Sequence, residues 1–168
     1  MEITADSQVA KILVDFGNLQ RTQNSAIRKA FYSIGKDLVR SAVDAINTKP
    51  KSGRIYRIST GIGGKTLKRL KDYRASAEGE APGVITGDLR ASINFNVIGS
   101  NQLQFGVDET RKGVTYGKYL EYGDLISMTG QGSSKIKPRP YLSKSYLENK
   151  GKMVINFSEY LKEALSKK

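Results

Sequence analysis

The stretch Ser59-Thr-Gly-Ile-Gly-Gly-Lys65-Thr66 comes closest to a reactive motif. A phosphate-gripping loop has the form Gly-x-x-x-x-Gly-Lys-Ser/Thr, because backbone amides and the lysine must wrap the phosphate oxygens. Ser59 stands where the first glycine belongs, and Arg54-Ile-Tyr-Arg-Ile58 is too charged for the buried parallel strand such a loop follows. Ile12-Leu-Val-Asp15 imitates a magnesium-holding strand, but helical spacing describes it better. The glycines are therefore read as the tip of a hairpin. A second group, Tyr116, Tyr119, Leu120 and Tyr122 around Glu121, has the makings of a sugar- or base-stacking surface. Yet Tyr116 and the pair Tyr119 and Leu120 sit one helical turn apart, the spacing of a short helix packed on a sheet and ended by Gly123.

Composition removes most other chemistry. There is no cysteine and no histidine, so disulfides, thiol catalysis, the usual zinc sites and Ser-His or Cys-His nucleophile pairs are excluded. An enzyme would have to rely on Asp, Glu, Lys, Tyr or Ser alone, and no acid–base constellation of these stands out. The expectation is a non-enzyme without cofactor or metal. A length of 168 residues suits one domain, 1–168, with a real core. No run of about 18 apolar residues and no basic-then-apolar amino terminus is present, so neither a membrane span nor a signal peptide is expected.

The formal charge of +12 is concentrated rather than spread. Lys49, Lys51, Arg54, Arg57, Lys65, Lys68, Arg69, Lys71 and Arg74 face a single acid, Asp72, which places +8 between residues 49 and 74. Apolar residues are few there, glycines crowd the tip, and a lone two-stranded hairpin is marginal in water. Residues 49–77 are expected to form a mobile basic arm. Such an arm attracts phosphate or an acidic protein surface; the plain alternative is a solvated face kept soluble by its charge.

The elements that must position these groups centre on residues 81–95. Pro82 and Gly83 punctuate the chain, and Thr86 is expected to cap a short turn begun by Gly87, Asp88 and Leu89. Ile93, Phe95 and Val97 then alternate with Asn94, Asn96 and Ile98. After Gly99-Ser-Asn101, Leu103, Phe105 and Val107 alternate in turn, giving a hairpin with one apolar face. Upstream, a short edge strand is conceivable at Glu2-Ile-Thr4. A first helix carries Val9, Ile12, Leu13 and Phe16 and stops at Gly17. A longer one begins near Thr22 to Ser25, with Ile27, Phe31, Ile34, Leu38, Ala42, Ala45 and Ile46 as its apolar stripe. Downstream, 124–135 has the composition of a flexible loop. Pro140 suits the first position of a last helix striped by Leu142, Tyr146, Val154, Phe157, Leu161 and Leu165, with Gly151 a weak point. Arg139, between two prolines, is placed to pair with Glu121. The fold class is α+β: a hairpin-based antiparallel sheet packed by an amino-terminal and a carboxy-terminal helix, with the basic hairpin protruding.

Three of these stretches together resemble one family. Thr86-Gly-Asp-Leu-Arg-Ala-Ser92-Ile93, Tyr116-Gly-Lys-Tyr-Leu-Glu-Tyr-Gly123 and Lys137-Pro-Arg-Pro-Tyr-Leu142 follow, in order, the pattern of the head–tail joining or tail-completion proteins of long-tailed bacteriophages. The similarity covers roughly residues 27 to 168; Gly117 and Tyr122 stand where small and aromatic residues are usual in it. The resemblance implies a structural virion protein assembled in the host cytoplasm into a homo-oligomeric ring at the neck. The ring would contact head-side connector or adaptor proteins and the tail tube or terminator, with DNA passing through its lumen. It assigns structural roles to Thr86, Gly87, Leu89, Ser92, Ile93, Tyr119, Glu121, Gly123, Arg139 and Pro140. The alternative from another class is a nucleic-acid-binding module using the basic arm, in which Tyr56 and Tyr73 interleave with the charges.

Overall fold

Gly17 does not stop the first helix. A single helix, α1 (Ala5–Asn47), runs where two were expected. One interior glycine costs only about 1 kcal/mol, whereas ending a helix and nucleating another a few residues later costs more. The helix ends where the Thr48 N–H and hydroxyl both donate to the Asp44 carbonyl, at 2.8 and 2.7 Å. Pro50 follows and cannot continue it. The structure, a computed structural model, describes residues 5–62, 65–99, 102–108, 110, 116–126 and 134–166; side chains are described for 19–57, 72–99, 102–108, 110, 116–123 and 137–166. The suggested edge strand at Glu2-Ile-Thr4 lies outside them, as do Ser100 and Asn101 of the central turn.

After α1 come β1 (Ile55–Ile62), β2 (Lys65–Arg74), α2 (Asp88–Ser92), β3 (Ile93–Ile98), β4 (Gln102–Val107), α3 (Gly117–Tyr122), β5 (Asp124–Ile126), β6 (Ser134–Ile136) and α4 (Leu142–Ser166). The architecture is α+β, as expected. Among the described residues the strands form three two-stranded sheets, β1–β2, β3–β4 and β5–β6. Along β3 the predicted register holds: Ile93 is buried, Phe95 and Val97 are half-buried, and Asn94, Asn96 and Ile98 are exposed. The stretch expected to be a flexible loop, 124–135, instead pairs at its ends, Asp124 opposite Ile136 and Ile126 opposite Ser134. Residues 127–133 lie outside the described set.

The chain divides into two compact units. The first holds Met1–Asp37, Phe95–Gln104 and Asn149–Lys168. Its contact line on α1 runs through buried Ala26, Ala30 and Ile34, with Ile27 and Phe31 only half-buried beside it. Two of these three buried positions are alanines, which a search for large apolar side chains passes over. Phe31 and Phe157 bring their ring centres to 5.7 Å, and Tyr32 meets Phe95 edge-on at the same distance. On α4 the expected stripe is corrected. Phe157 and Leu161 are half-buried as expected, but Val154 and Leu165 are 67% and 50% exposed, and Met153, Tyr160 and Ala164 are half-buried instead. Steps of four residues advance about 40° beyond a full turn, so a stripe built on them rotates out of the contact.

Among the described glycines, Gly35 is the most crowded. A Cβ there would stand 2.5 Å from Cγ and 2.7 Å from Cε2 of Phe95, and Cγ is the anchored end of the ring. Gly35→Ala is therefore expected to destabilise the fold by about 1–3 kcal/mol despite the better helix propensity of alanine. Urea unfolding checks this; an alanine variant at least as stable as the parent would place the Phe95 ring elsewhere.

The second unit holds Leu38–Asn94 and Phe105–Glu148. Ala42, Ala45, Ile46, Ala81, Leu89, Ile93 and Tyr141 form its buried core, flanked by Val39, Val43, Val84, Phe105, Val107, Leu120 and Leu142. All three stretches that carry the family resemblance contribute to this unit.

Candidate interaction surface

In the first motif, Gly87 takes a left-handed conformation (φ 92°) at the start of α2. The Thr86 hydroxyl accepts from the Asp88 N–H at 3.3 Å and donates to Oδ2 of Asp88 at 2.6 Å, so it braces the turn from one residue outside the helix. Leu89 is buried. Ser92 is fully buried, donates to the Leu89 carbonyl at 2.6 Å, and through its own carbonyl accepts the Asp108 N–H at 2.8 Å. It ties the end of α2 to the end of β4 while Ile93 enters the core.

The second motif delivers a carboxylate to another helix. Glu121, on α3, is 4% exposed. Its Oε2 accepts the N–H groups of Tyr141 and Leu142 at 2.9 and 3.0 Å, and Oε1 that of Ser143 at 2.8 Å. These are orphan amides at the amino end of α4, where the helix dipole also favours negative charge. Burial pulls the Glu121 pKa up, but the bonds from the Ser143 side chain and from the three amides outweigh it and hold it below the usual value of 4.5. Gly123 closes α3: its φ of 67° is open to glycine, and its N–H donates to Tyr119 O at 2.9 Å. Tyr119 is half-buried, with the Lys118 ammonium 5.3 Å from its ring centre. Tyr122, expected to pack with its neighbours, is 79% exposed.

The expected pairing of Arg139 with Glu121 does not form, because the amides of α4 occupy the carboxylate. Arg139 instead donates from Nε to the Ser76 carbonyl at 3.1 Å and from its backbone N–H to Leu120 O at 2.6 Å. Pro140 likewise sits ahead of α4 rather than in its first position, since the helix begins at Leu142. Tyr141, between them, is the residue the sequence reading missed. Its side chain has no exposure, and its hydroxyl donates to the Gly117 carbonyl at 3.4 Å. Burial, with Glu121 nearby, pushes its pKa up strongly. The only signal was its place between Pro140 and the apolar Leu142.

The basic arm is a hairpin, but two of its nine cations belong to its root. Ile55 pairs with Arg74 and Thr60 with Arg69, and the strands shift register between Thr60 and Ile62. β2 resumes at Lys65, where a phosphate loop would begin a helix, and residues 12–15 lie within α1. The nucleotide reading fails on both counts. Lys49 pairs with Glu148 at 2.6 Å, and Lys51 donates to the Ala45 carbonyl near the end of α1 at 3.1 Å, where burial lowers its pKa. Arg57 lies 3.4 Å from Asp72, both well exposed. Arg74 donates weakly to Gly53 O at 3.5 Å, and the Arg54 guanidinium stands 5.6 Å from the centre of the exposed Tyr56 ring. The side chains of Lys65, Lys68, Arg69 and Lys71 are outside the described residues.

Glu80, not singled out in the sequence, clasps this root. Oε1 accepts the Ser52 hydroxyl at 2.5 Å, and Oε2 accepts the N–H groups of Ser52 and Ala77 at 3.0 and 2.8 Å. Those bonds, led by the Ser52 hydroxyl, lower its pKa to about 2. Its sequence neighbours, Ala77-Glu-Gly and Ala81-Pro, gave no sign of this role.

Comparison with known protein families, with characterised proteins and with solved structures gave no match for this chain. Among the described residues no helix is long and apolar enough to cross a membrane.

Proposed function

We propose that this chain is a structural protein of the bacteriophage neck, forming a closed homo-oligomeric ring that completes the tail and joins it to the DNA-filled head. One observation carries the reading: the stretches that resemble that family, separated in sequence by 22 and 13 residues, meet in one unit. Leu89 and Ile93 share a buried cluster with Tyr141, whose amide Glu121 holds. Residues that do this keep a scaffold in shape and leave the work to surfaces. Sheet edges and the basic hairpin are the natural contacts between successive subunits, in head-to-tail fashion that closes. Acidic faces of head-side and tail-side proteins are the partners that suit the arm.

Native mass spectrometry of the purified protein and of isolated necks tests this. A single closed copy number in necks is expected; monomers there, or a face-to-face dimer as the end product, would overturn it. Trypsin adds a local reading. Cleavage between residues 49 and 74 is expected first in the free protein and is expected to be suppressed in assembled necks, because docking covers the arm. Equal cleavage in both states removes the arm from the interface.

Arg54 stacked on an exposed Tyr56 favours the nucleic-acid reading as the second one. Tight binding of duplex or single-stranded DNA by the isolated subunit, falling steeply with salt, would put that reading first.

A further inference from the structure

Beside Pro82 and Gly83 the second unit has an open cavity of about 310 Å³, with exposed Ile85 and Tyr116 at its edge. Its walls are largely apolar, with Leu89 and Leu120 among them, and Tyr73, Tyr116 and Arg139 bring polar groups to it. Its size is at the lower end of small-ligand sites, which are typically apolar with a few convergent polar groups.

Arg139 is half-buried, and its Nε is spent on the Ser76 carbonyl. Among the described residues no carboxylate pairs with it; the acid nearest in expectation, Glu121, is committed to α4. Its two terminal nitrogens present the planar fork that matches a two-oxygen acceptor. Tyr73 places its hydroxyl against Gly83, where an added Cβ would meet it at 2.6 Å. Arg139 and Tyr116 are both close enough to influence Tyr73 electrostatically, and burial raises the pKa of both tyrosines. Both hydroxyls therefore remain protonated donors at neutral pH. The cavity is also lined by Arg90, one of whose terminal nitrogens donates to Asn47 Oδ1 at 3.2 Å. Two hydroxyl donors, the Arg139 guanidinium and hydrocarbon walls call for an acceptor with an apolar body. Asp88, which is not part of the lining, acts electrostatically on Tyr116, and its negative charge disfavours phosphate dianions and polyanions.

We infer that this cavity binds a single carboxylate carried on an apolar stem. Such a group comes from the end of a polypeptide or from a small aromatic acid, and the two are separable. The site does not depend on the neck reading, since a lone subunit contains all of it.

The test is titration of the ¹⁵N-labelled full chain, followed through its amide signals. Benzoate is expected to shift Gly83, Val84 and Leu120 saturably, and benzamide to leave them in place. N-acetylphenylalanine binding more tightly than benzoate assigns the polypeptide end as the source; the reverse order assigns the small acid. Arg139→Gln should weaken benzoate at least tenfold. Tyr73→Phe keeps the packing and should weaken it severalfold, so the site stays testable if the arginine variant folds poorly. Absence of saturation with both acids, equal shifts with benzamide, or inorganic phosphate competing as well as benzoate would each overturn the inference.

Discussion

Glu121→Gln lowers stability at neutral pH by about 3 kcal/mol, because it replaces a charge that three amides share with a neutral group that accepts through only one atom. For a chain of this size that corresponds to a fall in Tm of about 6–12 °C. The loss depends on pH with a defined sign. The folded pKa of Glu121 lies below its ordinary value of 4.5, so its contribution is complete above that value and disappears as the pH falls through the folded pKa. The stability gap between parent and Glu121→Gln is thus full at pH 7 and narrows below 4.5. Glu80 titrates in both proteins and cancels from the difference. Urea unfolding of the pair across this range is the measurement. A gap that stays constant into acid would show that the charge of Glu121 plays no part in holding α4.

Ile93→Asp abolishes cooperative folding of the second unit. Ile93 is 5% exposed and sits in the cluster with Leu89, Ala42 and Tyr141. Withdrawing its side chain forfeits about 2–3 kcal/mol of burial, and an unpaired carboxylate in its place costs several more. Together these approach the whole stability of an ordinary domain, about 5–15 kcal/mol. Asn96→Asp, on the exposed face of the same strand, is the control and should change stability by less than about 0.5 kcal/mol. Thermal melts read by circular dichroism compare them. Because a one-residue slip exchanges the two faces of a strand, the opposite ranking would reverse the register of the hairpin.

The sequence by itself determined what depends on neighbours a few residues away. Alternation from Ile93 to Val107 set the apolar face of the central hairpin, three- and four-residue spacing set the helical core from Ile34 to Ile46, and the run from Arg54 to Arg74 set a basic hairpin. Period, charge and glycine content are local quantities, and local physics reads them directly. Tertiary structure decided everything that turned on a distant partner. Whether Glu121 meets Arg139 or the amides of α4 depends on which reaches the carboxylate first in space, twenty residues on. Lys49 and Lys51 read as members of a charged run, yet Glu148 and the end of α1 hold them at its root. Val154 and Leu165 have the composition of a core stripe, but only the line of contact along Ala26 and Ala30 settles which side of a helix turns inward. A side chain's chemistry is written at its own position. Its partner is fixed by where the chain returns, and that geometry comes from packing of the whole.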